Sequence, residues 1–200
     1  MAKHSQQSQS SGGWPALGPD VPRRGARWMA SLSRWVLERF RWRLKGDFPN
    51  EPKLVIIAAP HQSNWDWALA MLLLFSLRLR MNWMAKHTLF SSPLGGFFRW
   101  LGGIPVNRHA AKGVVEQAAS DIRAAAQFVL AIAPEGTRQN VKHFKSGFYR
   151  IAAAAQVPIL PVLIDYPNRV MTFLEPVVPN EDPAEAVPRI EALFDGVRHP

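Results

Sequence analysis

From Lys53 onward the hydrophobic positions of this chain fall into compact runs separated by segments with helical patterning. Leu54 to Ala59, Phe128 to Ala133 and Pro158 to Asp165 are the strongest extended runs, joined by shorter ones at Asn82 to Lys86, Ile104 to Val106 and Val170 to Leu174. Trp67 to Leu79, Gly113 to Gln127, Ser146 to Gln156 and Pro183 to Phe194 read as helices, with Pro188 expected to limit the first turn of the last. This alternation predicts a single α/β domain with a mostly parallel mixed sheet flanked by helices. Ligands of such sheets bind beyond the carboxyl ends of the strands.

A basic amphipathic helix is expected ahead of that domain, over Arg23 to Leu44. Trp28, Trp35 and Trp42 recur every seven residues and at about 100° per residue share one face with Leu32, Val36 and Phe40, while Arg27, Arg34 and Arg41 form a second stripe beside it. Two readings stay open. The helix attaches to an anionic membrane surface, with Arg39 and Arg43 snorkelling to the headgroups, or it packs against the domain.

Composition narrows the choice. With 200 residues and 48% hydrophobic content, the chain divides into a disordered arm over 1–20, the helical segment over 21–46 and one α/β domain over 47–200. No cysteine is present, which excludes disulfides, thiolate metal sites and a cysteine nucleophile. The excess of 24 Lys and Arg over 15 Asp and Glu gives a formal charge of +9 and calls for an anionic partner. Eight Trp favour a lipid interface over nucleic acid, for which no zinc-finger, basic-zipper or RNA-recognition signature is found. The first 20 residues lack the apolar core of a signal peptide, and the longest apolar run, Trp67 to Phe75, falls far short of the ~20 residues a spanning helix needs. The expected location is the cytoplasm, peripheral on the cytoplasmic face of a membrane.

Candidate chemistry begins where the first strong strand ends. His61 and Asp66 stand five residues apart on the turn between Leu54 to Ala59 and the helix from Trp67, where a base and its orienting acid can sit. A capping or hydrogen-bonded turn would use the same residue types. The turn Pro134-Glu135-Gly136-Thr137-Arg138 follows another strong strand, so the two turns are expected to face one crevice. The remaining histidines show no coherent ligand arrangement, and no metal is predicted.

Four segments in chain order sharpen this reading. His61-Gln62-Ser63-Asn64-Trp65-Asp66, Gly102-Gly103-Ile104-Pro105-Val106-Asn107-Arg108, Pro134-Glu135-Gly136-Thr137-Arg138 and Val157-Pro158-Ile159-Leu160-Pro161-Val162 together resemble the glycerolipid acyltransferase family that includes 1-acylglycerol-3-phosphate acyltransferase. The resemblance covers residues 54 to 165 and implies an α/β fold. It also implies acyl transfer from acyl-CoA or an acyl carrier protein thioester to the hydroxyl of a lysophospholipid, by default lysophosphatidic acid, with no bound cofactor. Acylation of another lysolipid, such as an amino-acid-containing one, and lipid binding with little turnover are the alternatives.

On this reading His61 takes the acceptor hydroxyl proton and Asp66 holds the imidazole tautomer. Ser63 as a covalent nucleophile is disfavoured, because the chain has no Gly-x-Ser-x-Gly elbow. Arg138 is expected to bind the acceptor phosphate, with Gly136 allowing close backbone approach and Thr137 donating a hydrogen bond. Glu135 either orients Arg138, receives a substrate hydroxyl, or is a turn carboxylate. Arg108 and Lys86 match basic positions near the acceptor phosphate, although Thr88 stands where the family often has Glu. Lys142, His143 and Lys145 form a basic loop, either simply solvated or facing the donor's anionic groups. Pro158 and Pro161 are expected to shape the core or an acyl tunnel.

Overall fold

The computed structural model describes residues 14–60, 65–106, 111–136 and 143–198. Its strands are β1 (Arg43–Lys45), β2 (Lys53–Ala59), β3 (Asn82–Lys86), β4 (Gly103–Val106), β5 (Phe128–Ile132), β6 (Ile159–Asp165) and β7 (Val170–Phe173). The helices are α1 (Arg27–Arg39), α2 (Trp65–Leu77), α3 (His87–Phe90), α4 (Gly95–Trp100), α5 (Ala111–Ala124), α6 (Gly147–Ala155), α7 (Pro183–Ala192) and α8 (Asp195–Arg198). The strands form one sheet in the order β1-β7-β6-β2-β5-β3-β4. β2 pairs in parallel with both β5 and β6, β3 with both β5 and β4, and β1 with β7, whereas β6 and β7 pair antiparallel. The predicted mostly parallel mixed sheet is present.

Side-chain alternation along β2 builds two cores from one strand. Val55 and Ile57 join Ile122, Phe148, Ala152 and Val187 of the layer formed by α5, α6 and α7, together with Phe194 between α7 and α8. Leu54 and Ile56 pack with Met71, Leu74 and Leu77 of α2 and with Phe90 of α3. Because both faces are covered, the strand reads as an unbroken apolar run rather than an alternating one. Short helices α3 and α4, absent from the sequence-based expectation, fill the stretch between β3 and β4, a segment too short for a strong helical period.

At the N-terminus the expected helix is shorter. α1 ends at Arg39, Arg41 takes a left-handed backbone (φ 59), and Arg43 to Lys45 instead pair with Val170 to Thr172 of β7. Ala30, Ser33 and Leu37 are its buried positions, with Leu37 in a small core beside Leu69, Ile164 and Met171, while Trp28 and Trp35 remain 67% and 62% exposed. Trp42 leaves the stripe and turns inward. Of the expected arm, residues 1–13 lie outside the described residues, whereas Leu17 is buried and the Trp14 indole donates to Glu38 Oε1 at 2.8 Å. α7 starts at an Asp182 cap, whose Oδ1 accepts from Ala184 N at 2.7 Å, and runs through Pro188 rather than being limited by it.

Tyr149 ties α6 to the loop before α7. Its fully buried hydroxyl donates to the Glu181 carbonyl at 3.0 Å and lies 3.1 Å from the Glu181 N–H, which donates back to it. Tyr149→Phe leaves both backbone groups without that partner, so equilibrium denaturation should show a loss of about 1–3 kcal/mol.

Candidate active site

The parallel arrangement sets the carboxyl ends of β2, β5, β3 and β6 along one edge of the sheet. Beyond β2, a cis Ala59–Pro60 bond leads into the turn, and Asp66 enters as the second residue of α2, with 1% of its surface exposed. It therefore sits inside the first helical turn rather than at the N-cap. Beyond β5, Glu135 is 6% exposed, and Gly136 closes a turn in which its N–H donates to the Ala133 carbonyl at 3.1 Å. Beyond β6 comes Tyr166, whose hydroxyl donates to Asp66 Oδ1. Three strands thus deliver three polar side chains to one place.

The electrostatics of that place are visible in Tyr166. Burial raises its pKa first, and the hydrogen bond to Asp66 and the negative charges of Asp66 and Glu135 push it further in the same direction. The phenol stays protonated and remains a donor. Glu135 is thereby placed within electrostatic range of the same cluster as Asp66, as the two-turn crevice required.

Gly136 adopts a left-handed backbone (φ 67), and a Cβ built on it would meet Lys145 Cδ at 2.7 Å. The loop that brings Lys145 there is fastened at two points. Lys145 N donates to the Pro134 carbonyl at 2.9 Å, and Phe144 N donates to the buried Glu191 Oε2 at 3.0 Å, with His143 Nδ1 3.6 Å from the other Glu191 oxygen. The basic loop is thus anchored to the core through Phe144 and carries Lys145 across the Gly136 turn. Lys86, the last residue of β3, is exposed.

Beneath this edge lies a cavity of about 820 Å³, walled by α2 side chains such as Leu69 and Leu73 and by sheet residues including Ile56 and Trp83. At the carboxyl edge its lining ends at Lys86 and Gly136. Its volume is within the range of ligand pockets, and its wall is largely hydrocarbon. Val162 and Ile164 of the proline-rich strand contribute to it, while Pro158 and Pro161 do not line it. Among the described residues no group of three or more His, Asp or Glu is placed to hold a metal ion.

The family model described as Acyltransferase matches residues 40–165. The chain belongs to the acyltransferase family. Its similarity to curated members includes 36% identity over 119 residues to 1-acyl-sn-glycerol-3-phosphate acyltransferase epsilon of Mus musculus. That alignment takes in 56% of this chain and 33% of the mouse protein, so the chain spans about a third of that relative's length. Among solved structures, the 1-acyl-sn-glycerophosphate (LPA) acyltransferase PlsC from Thermotoga maritima superposes with a TM-score of 0.60 at 21% identity, covering 86% of this chain and 77% of that one. This acyltransferase-family chain therefore shares that α/β fold.

Of the residues singled out in the sequence, Asp66, Glu135, Gly136 and Lys86 fall at the carboxyl edge of the sheet. His61, Arg108, Thr137, Arg138 and Lys142 lie outside the described residues. Tyr166 was missed. The signal for it was available, since it directly follows a strand whose carboxyl end was expected at the ligand edge. For Gly136, a substitution to Ala should cost about 1–2 kcal/mol through the left-handed backbone alone, and the new methyl also displaces the Lys145 stem. Thermal unfolding should show the lowered stability, and an unchanged Tm would show that the turn relaxes freely.

Proposed function

We propose that this chain transfers a fatty acyl group from an acyl thioester, acyl-CoA or acyl carrier protein, to the hydroxyl of a lysophospholipid, with 1-acylglycerol-3-phosphate as the default acceptor. The observation that carries this reading is the apolar cavity of about 820 Å³ whose lining includes Lys86 and Gly136, on the same edge of the sheet as Asp66 and Glu135. Hydrocarbon walls suit a fatty acyl chain, and the polar edge suits the thioester and the acceptor headgroup. The names of the similar mouse and Thermotoga maritima proteins point to the same acceptor.

In the proposed step His61 accepts the proton of the acceptor hydroxyl as its oxygen attacks the thioester carbonyl carbon. The new C–O bond forms, the C–S bond breaks, and the imidazolium returns its proton to the departing thiolate. Asp66 holds the imidazole in the required tautomer. Its near-complete burial supports this role, because a carboxylate kept from water orients and stabilises a partner more strongly than a solvated one. Arg138, with Thr137 beside it and Arg108 and Lys86 as further cations, would bind the acceptor phosphate through its planar fork. Glu135 would orient Arg138.

The N-terminal segment supports placement on lipid. α1 packs on the domain through Ala30, Ser33 and Leu37, yet leaves Trp28, Leu32 and Trp35 exposed. Near its start, Arg24 stacks over Trp100, its guanidinium 4.5 Å from the ring centroid, and Trp100, Phe97 and Leu94 around α4 are exposed as well. Aromatic side chains flanked by arginines fit an anionic interface, which would place the protein peripherally on a membrane at its cytoplasmic face. Among the described residues no helix is long and apolar enough to cross one.

Incubation with isotope-labelled acyl-CoA and a panel of lysolipids, including amino-acid-containing ones, should give labelled phosphatidic acid as the main product by mass spectrometry. Bound lipid without any labelled product would overturn the assignment. His61→Ala should lower turnover by at least ~10²-fold, about 3 kcal/mol of barrier, while the protein stays folded; near-normal turnover would remove His61 from the mechanism. For the membrane surface, Trp28→Ala combined with Trp35→Ala should reduce cosedimentation with vesicles containing anionic phospholipid, and unimpaired sedimentation would remove α1 from the contact.

A further inference from the structure

The geometry points to Tyr166 as a positioning residue for the reaction, a neutral donor that fixes one oxygen of Asp66 and with it the orientation of the carboxylate. This inference rests on the dyad reading above and adds a third member to it. The Tyr166 hydroxyl donates to Asp66 Oδ1, and an ionised carboxylate has a second oxygen to accept the imidazole N–H. A carboxylate on a short side chain can rotate, and rotation would swing its second oxygen away from the ring it serves. A phenol anchored elsewhere in the fold prevents this.

Tyr166 is anchored through its backbone and its ring. Its backbone leaves β6 and enters a tight turn in which Asp165 Oδ1 accepts from Asn168 N at 2.9 Å and Asp165 Oδ2 from Asn168 Nδ2 at 2.8 Å. Those two bonds, the backbone one foremost, hold the Asp165 carboxyl below its ordinary pKa. The Tyr166 carbonyl accepts from Arg169 N at 3.2 Å, and Arg169 reaches back to the Phe40 carbonyl at 2.9 Å. Its ring stands edge-on to Trp42, with centroids 5.7 Å apart and planes at 88°. Such an edge-to-face pair fixes the ring plane and with it the direction of the hydroxyl. Burial and the charges of Asp66 and Glu135 keep that hydroxyl protonated, so it does not turn from donor to acceptor as the base cycles.

A contact of this kind acts through Asp66 alone, and that dependence separates it from ordinary packing. Tyr166→Phe keeps the ring against Trp42 and removes the hydroxyl. It should lower kcat roughly 10- to 100-fold, as expected for a misaimed catalytic group, with the acceptor KM unchanged. In an Asp66→Asn background the same substitution should cost far less, because the group it positions has already been altered.

Parent-like turnover of Tyr166→Phe, or an equal factor lost with and without Asp66→Asn, would overturn the inference. If His61→Ala were active, the dyad itself would fall. If His61→Ala were inactive while Tyr166→Phe behaved like the parent, only the positioning role would be lost.

Discussion

Parallel pairing of Leu54 to Ala59 with a strand on each side is the constraint on which the rest of this structure depends. A strand in that position has no free edge and no solvated face, so every residue of its run must be apolar and every turn it feeds must leave at the same end. β5 and β6 run beside it in the same direction, and their following residues are delivered to the same edge. Asp66, Glu135 and Tyr166 come from three distant parts of the chain and meet there. None of them needs a long loop to reach its partner.

The two faces of the sheet are used differently. On one, aromatic and alanine-rich contacts among α5, α6 and α7 make a closely filled core around Phe148, Tyr149 and Phe194. On the other, α2 lies over the strands and leaves an apolar space whose lining includes Lys86 and Gly136. The apolar character of α2, uniform around its circumference rather than confined to one stripe, follows from this: it faces the sheet, the cavity and α1 at once.

The N-terminal segment is packed on one face and exposed on the other. Small and apolar residues of α1 pack on the domain, while its larger aromatics face outward, so one helix both belongs to the fold and carries an exposed aromatic face. The chain just beyond its end also reaches the carboxyl edge of the sheet. Trp42, in register with the exposed tryptophans as far as spacing shows, instead lies against Tyr166 because the chain reverses at Arg41 and enters the sheet.

The α/β class, the positions of the main strands, the Asp66 and Glu135 turns and the family resemblance were legible in the sequence, because buried parallel strands leave unbroken apolar runs and the motif residues directly follow them. The length of α1, the inward course of Trp42 and the hydrogen bond from Tyr166 to Asp66 were decided only by tertiary structure. Periodicity describes a residue's relation to its neighbours a few positions away. It cannot report that residues 66 and 166 meet, since that contact depends on β6 choosing β2 as its parallel neighbour, and the energy that fixes this choice is spread over the whole sheet.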